Sequence, residues 1–186
     1  AAVNNAVSVG LGAGSPQQSA MVARVAAEIQ PQHVNQVFTG VATSRALLGQ
    51  ADTVINGLVA PSGEVGLVNV ATGPLSSQSA KANIPVATAI TMLKDMGGTS
   101  LKSFPMQGTA HLEEFKAVAA ACADNEFGLE PTGGLDLTNF QQIVQIAVAA
   151  GVRQIIPHVY SSIIDATTGE TQPEAVAQLL TIMKQF

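Results

Sequence analysis

The sequence has 186 residues, 47 % of them hydrophobic and 11 % charged, which is enough apolar material for a single domain over 1–186 with one sizeable core. A formal charge of -5, with eight Lys and Arg in no cluster, excludes the basic footprint that nucleic-acid binding needs. No apolar run reaches the roughly 18 to 20 residues of a membrane span, and the lone Cys122 excludes an intrachain disulfide or a cysteine-rich zinc site, so a soluble, cytoplasmic protein is expected.

Short apolar runs alternate with helical periods along the chain, the pattern of βα units on a parallel sheet. The start, Ala1-Ala2-Val3, has neither methionine nor targeting signal and runs at once into strand-like residues, an abrupt opening for a complete fold. A strand is expected over 6–11, then a glycine-rich turn and a helix over 17–29 with Ser15 as N-cap and Pro16 at its first position. The second strand, 33–38, leads into a helix over 41–48. The third, 54–59, turns at Pro61-Ser62-Gly63 into a further apolar run over 65–70, which reads as a hairpin excursion. A long loop over 72–83 precedes a helix over 85–96, stopped by Gly97-Gly98. The fourth strand, 100–104, is followed by a helix carrying Leu112, Phe115, Val118 and Cys122 at helical spacing, which makes Cys122 a small core residue. The fifth, 127–130, ends in Pro131-Thr132-Gly133-Gly134 before a helix with Ile143, Val144 and Ala147 on one side. The sixth, 153–158, and a loop over 159–171 precede a last helix with Val176, Leu179 and Met183. Six βα units result, against the eight of a TIM (β/α)8 barrel, so the first two units are expected to be absent from this chain. An open doubly wound sheet is the competing architecture. The barrel is preferred because Pro, Gly and polar residues punctuate the carboxyl end of nearly every strand.

Of five lysines, four (Lys81, Lys94, Lys116 and Lys184) fall in loops or on helices beside polar neighbours. Lys102 instead sits within the strand pattern Ser100-Leu101-Lys102-Ser103-Phe104-Pro105. Alternation sends Leu101 toward the helices and Lys102 into the barrel, where desolvation lowers an amine's pKa and makes it a nucleophile toward ketones. The alternative is an ammonium that snorkels to the mouth or pairs with a carboxylate. Gly128, Glu130 and Thr132 share one face by the same alternation, so Glu130 points at the interior, where it moves protons or pairs with the amine. Gly133 and Gly134 let backbone approach a ligand, and the following helix terminus attracts anions. His158 and Ser161 close the last strand at the position where barrels often bind phosphate. Gln36 and Arg45 complete the polar candidates, Arg45 as a clamp for a substrate carboxylate. The three histidines lack metal-ligand spacing and Gly10, Gly12 and Gly14 do not match the dinucleotide fingerprint, so neither a metal nor a nicotinamide cofactor is expected.

The segment Leu101-Lys102-Ser103-Phe104-Pro105, followed one βα unit later by Pro131-Thr132-Gly133-Gly134, resembles the 2-keto-3-deoxy-6-phosphogluconate (KDPG) aldolases. With the stretches over 33–40 and 155–158, it is similar to the divergent branch associated with D-glucosaminate breakdown. The resemblance implies a class I aldolase that cleaves 2-dehydro-3-deoxy-6-phosphogluconate to pyruvate and glyceraldehyde 3-phosphate without a cofactor. It implies an imine on Lys102, keto-acid contact by Thr132, and phosphate contacts by Gly133, Gly134 and Ser161. The better-known branch takes its general base from a glutamate early in the barrel, ahead of the part covered here, and Glu130 is the substitute expected. The substrate would be a small 2-keto acid phosphosugar, and scarce charge on apolar helices suggests a homo-oligomer. Competing readings are a related 2-keto acid aldolase such as 4-hydroxy-2-oxoglutarate aldolase, a non-catalytic phosphosugar-binding barrel, and a metal-dependent lyase of similar shape.

Overall fold

The computed structural model describes residues 6–186. The abrupt opening at Ala1-Ala2-Val3 lies outside the described residues. Five parallel strands stand side by side in the order β1 (Ser8–Val9), β2 (His33–Val37), β3 (Val54–Pro61), β6 (Ser100–Ser103) and β7 (Gly128–Pro131). A sixth position beside β7 is held by the parallel bridges Leu129↔Ile155 and Thr132↔His158. Between β3 and β6 the chain makes the expected excursion, with β4 (Leu67–Asn69) antiparallel to the end of β3 and to β5 (Asn83–Pro85). The helices α1 (Ser19–Ile29), α2 (Val41–Leu48), α3 (Val86–Asp95), α4 (Leu112–Asp124), α5 (Phe140–Ala149) and α6 (Pro173–Met183) follow the strand positions in turn.

The sheet is strongly curved. Neighbouring strands lie about 4.8 Å apart, so β2 and β7, three places apart, would be separated by roughly 14 Å on a flat sheet, with their side chains pointing in parallel. Yet His33 Nε2 on β2 is 3.1 Å from the Glu130 carboxylate on β7. Only a sheet curled toward a barrel axis brings these inward side chains together. The alternate residues Val34, Ile55, Leu101 and Leu129 point outward and are completely buried against the helices. Each helix answers with apolar residues at three- and four-residue spacing, such as Ala89, Ile90 and Leu93 on α3 and Phe115, Val118, Ala119 and Cys122 on α4. Burying one such leucine or phenylalanine contributes about 1.5 to 3 kcal/mol. Gly57 of β3 is part of this fit: a Cβ there would lie 2.0 Å from Leu93 Cδ2, so the missing side chain is the socket into which α3 packs.

The elements depart from expectation mainly at their ends. The first strand shortens to Ser8–Val9, and α1 starts only at Ser19, after a 3-10 turn over Pro16–Gln18. Pro16 opens that turn as expected, but the Ser15 side chain makes no cap hydrogen bond. The sixth strand, expected over 153–158, survives as two bridges. Leu129 N–H donates to Gln154 O, and Ile156 and His158 N–H donate to Leu129 O and Pro131 O. The remaining rung would be donated by residue 131, and Pro131 has no N–H.

Candidate active site

Five inward-facing strand residues set the floor of the site. Strand register places Asn35 of β2 beside Asn56 of β3, Asn56 beside Ser100 of β6, and Lys102 beside Glu130 of β7. At their centre the Glu130 side chain has no exposed surface. An isolated buried carboxylate would be prohibitively costly, and four donors offset that cost here. His33 Nε2 lies 3.1 Å from both carboxylate oxygens and His158 Nε2 lies 2.8 Å from Oε2, while Asn56 Nδ2 and Ser100 Oγ also donate to the carboxylate. Burial works to raise the Glu130 pKa, but the hydrogen bonds from His158 and His33 outweigh it and hold the group well below the usual carboxylate range. Glu130 is therefore ionised. Burial pushes the His158 pKa down, so its ring is neutral at physiological pH.

Lys102, one inward position beyond Ser100 and in register with Glu130, lies toward the carboxyl ends of the strands, where barrel sites form. Leu101 is fully buried on the helix side, and the Lys102 side chain enters the interior, as alternation requires. Its Nζ donates to Asn35 Oδ1 at 2.8 Å and lies 5.9 Å from the centre of the Tyr160 ring, within cation–π range. Desolvation lowers the Lys102 pKa from 10.5 to about 8, against the opposing pull of the Glu130 charge. Asn35 Oδ1 also accepts from Asn56 Nδ2 at 2.7 Å, so two amides connect the amine to the buried carboxylate. Above Lys102 a cavity of about 310 Å³ is lined by Asn35, Leu58, Phe104, Thr132 and Tyr160 as well as the lysine itself. This is room for a small organic acid.

The structure brings Lys102 and Thr132 together around this space, places His158 with Lys102 and Tyr160 on an adjoining cavity, and commits or removes other candidates. Glu130 lies behind the cavity wall, and it neither pairs directly with Lys102 nor opens onto the cavity; its oxygens serve the four donors instead. Arg45 is not at the site: its guanidinium donates to the carbonyls of Gly97, Gln50 and Thr53, which lie at the opposite, amino ends of β3 and β6. Gln36 reaches the cavity wall, yet its amide is committed to Ser19 O on α1, Ser44 Oγ on α2 and its neighbour's N–H. It ties two helices to β2.

The glycine turn also has a packing role that the sequence did not reveal. Gly133 and Gly134 adopt φ of 95° and 75°. A Cβ on Gly134 would lie 2.5 Å from Gly108 N, and one on Gly133 would lie 3.0 Å from Pro105 Cα. The turn thus seats the loop that follows β6, with Gly108 N–H donating to Gly133 O and Met106 N–H to Thr132 O. The approach to the helix beyond it carries a carboxylate. α5 begins at Phe140, and Asp136 Oδ1 already takes the N–H groups of Thr138 and Asn139. A carboxylate in that place repels phosphate. Ser161 is exposed and opens a 3-10 turn, Ser161–Ile163, directly after Tyr160.

Four polar residues at the centre were missed by sequence reasoning: His33, Asn35, Asn56 and Tyr160. The signal available for the first three was period-two alternation, since His33 and Asn35 share the face opposite Val34 and Asn56 shares one with Leu58. The histidines, distant in sequence, are close in space, with the His33 and His158 ring centres 5.7 Å apart. His33, Glu130 and His158 also bring ligand-type atoms within 4.8 Å of one another. Both Nε2 atoms are committed as donors to Glu130, so the three side chains form a hydrogen-bonded group in which a cation would have to displace both protons.

Comparison with known proteins places this geometry in context. A family model described as KDGP aldolase matches residues 1–167. A 2-dehydro-3-deoxy-phosphogluconate aldolase of Salmonella typhimurium (strain 14028s / SGSC 2262) is 46 % identical over 182 residues, covering 96 % of this chain and 74 % of that protein. Among solved structures, native KDPGal superposes with a TM-score of 0.54 at 14 % identity, over 96 % of this chain and 67 % of that one. A Coccidioides immitis chain assigned as a deoxyribose-phosphate aldolase gives 0.53 at 12 % identity, over 96 % and 66 %. At such low identity these two likenesses bear on the fold alone, and they agree with an α/β barrel architecture.

Proposed function

The chain belongs to the KDGP aldolase family and is an aldolase, and from that premise we propose that it cleaves 2-dehydro-3-deoxy-6-phosphogluconate to pyruvate and glyceraldehyde 3-phosphate through an imine on Lys102. The observation that carries this reading is a desolvated amine, with pKa lowered to about 8, facing a closed-in cavity beside Thr132. At pH 7 roughly one such amine in ten is unprotonated, against fewer than one in a thousand for an ordinary lysine. The neutral Nζ attacks the C2 ketone and water leaves, giving an iminium. The iminium accepts the electron pair of the C3–C4 bond as the C4 hydroxyl loses its proton, leaving an aldehyde and a pyruvate enamine. Protonation at C3 and hydrolysis release pyruvate and restore the amine. All of this is covalent lysine chemistry and needs no external cofactor. Thr132, on the cavity wall, is suited to contact the keto acid, and Ser161, exposed beside Tyr160, to meet the phosphate.

This reading extends to a single-domain, cytoplasmic homo-oligomer. Supporting it are the exposed apolar side chains Met21, Val25 and Ile29 on α1 with Leu47 on α2, and a free, buried Cys122. None of the described helices is long and apolar enough to cross a membrane. Incubation with pyruvate and borohydride, followed by peptide mass spectrometry, tests the assignment. The expected result is a reduced pyruvyl adduct on Lys102 and its loss in Lys102→Met. Absence of the adduct, or its appearance on another lysine, rejects the imine assignment.

A further inference from the structure

Cleavage through an imine needs a group that takes the C4 hydroxyl proton and later delivers one to C3. Lys102 is engaged in the imine, and Glu130 is sealed behind the wall by its four donors. The cavity residue best connected to that buried charge is Tyr160. Its ring lies beside Lys102, and its hydroxyl is 2.9 Å from His158 Nδ1.

The direction of this bond follows from the partners. An ionised carboxylate only accepts, so His158 Nε2, 2.8 Å from Glu130 Oε2, carries the ring's proton. Nδ1 of the same neutral ring is then an acceptor, and Tyr160 O–H donates to it. The phenol oxygen keeps its lone pairs for a donor in the cavity. His33 is bonded similarly, with Nδ1 2.7 Å from Ser8 Oγ, but that hydroxyl already accepts from Asn35 Nδ2. Tyr160 is the branch with an open end.

We propose that Tyr160 is the proton-transfer residue of the cleavage, acting through a hydrogen-bonded relay to His158 and Glu130. This rests on the imine reading of Lys102. As C3–C4 breaks, the C4 hydroxyl proton moves to the Tyr160 oxygen while the phenol proton moves to His158 Nδ1. The bond's electron pair enters the iminium, and the aldehyde departs. The imidazolium forms against Glu130, in an arrangement that orders base and carboxylate as in a catalytic triad. The return path carries the proton from His158 through Tyr160 to C3 of the enamine, which leaves the relay as it began. The titratable groups facing His158 are Glu130, His33, Lys102 and Tyr160. Burial opposes the protonated ring, and Glu130 favours it.

Tyr160→Phe in the full chain is the test. The ring is more than half exposed, so the fold does not depend on the hydroxyl. The expected result is a kcat for cleavage lower by about 10²- to 10³-fold with KM little changed, and an equal slowing of pyruvate methyl exchange in D₂O. Borohydride trapping of pyruvate on Lys102 should persist, and the acid limb of kcat, where Lys102 is already committed to the imine and His158 is the base, should flatten. Cleavage and exchange within about threefold of the parent would overturn the relay. If the parent itself is not trapped, the imine reading fails first, and the two failures are thereby distinguished.

Discussion

Replacing Lys102 by methionine removes a charge that the fold holds at a cost, and should stabilise the protein while abolishing its chemistry. The folded-state pKa of about 8, against lysine's ordinary 10.5, measures that cost. At about 1.4 kcal/mol per tenfold change the gap corresponds to roughly 3 kcal/mol, reduced to about 2 by the partial exposure of the side chain. The sign follows from linkage. Below pH 8 the folded lysine is charged and pays the full desolvation penalty; the penalty fades as pH rises toward 10.5, above which the amine is neutral in both states. The methionine variant should therefore gain stability at pH 7 relative to its gain near pH 10.5, by about 2 kcal/mol. Asn35 Oδ1 keeps its bond from Asn56, so no buried acceptor is orphaned by the change. Urea unfolding of both proteins across this range measures the difference. A gap that does not vary with pH, or a variant less stable at pH 7 than at pH 10.5 relative to the parent, would refute the claim that Lys102 is desolvated.

Glu130→Gln should act in the opposite direction. The Glu130 pKa is depressed from 4.5 to about 2, so its contribution, on the order of 3 kcal/mol, is present at neutral pH and is lost as pH falls from 4.5 toward 2. Denaturation curves at pH 7 and pH 3 should show the gap between parent and variant shrinking; an equal gap at both would contradict the assignment. Gly134→Ala should lower stability by about 2 to 4 kcal/mol, because an alanine at φ 75° is strained and its Cβ meets Gly108 N at 2.5 Å. A thermal melt within a degree of the parent would show that the loop over 104–108 shifts freely.

The architecture was legible because it is written in periodicity. Leu101 and Lys102 divide between helix side and interior as alternation demands, and the hairpin excursion after β3 follows from its Pro-Ser-Gly turn. What alternation could not supply is distance across the sheet. His33 and His158 meet only because the sheet curls, and curvature is a property of all the strands together, invisible in any one of them. Gln36 and Arg45 show the converse error. Both are polar residues near a strand, but Gln36 faces the helices and Arg45 lies at the wrong end, where loop carbonyls need donors. The glycine turn was recognised by its residues but read for one use, when the close approach of Gly108 and Pro105 already requires glycine at both positions.

The four donors to Glu130 come from β2, β3, β6 and the segment over 155–158, a span that includes most of the chain. This has a consequence for how the protein folds. No local segment contains enough of these partners to bury the carboxylate favourably, so a half-formed sheet must leave it hydrated or protonated. Docking of the segment over 155–158 and ionisation of Glu130 in the interior are then one cooperative step, late and dependent on distant contacts, of the kind that slows folding. Conversely, release of that segment should hydrate Glu130 and dismantle the relay in the same event, so local opening at the C-terminal third and loss of activity should share one free energy.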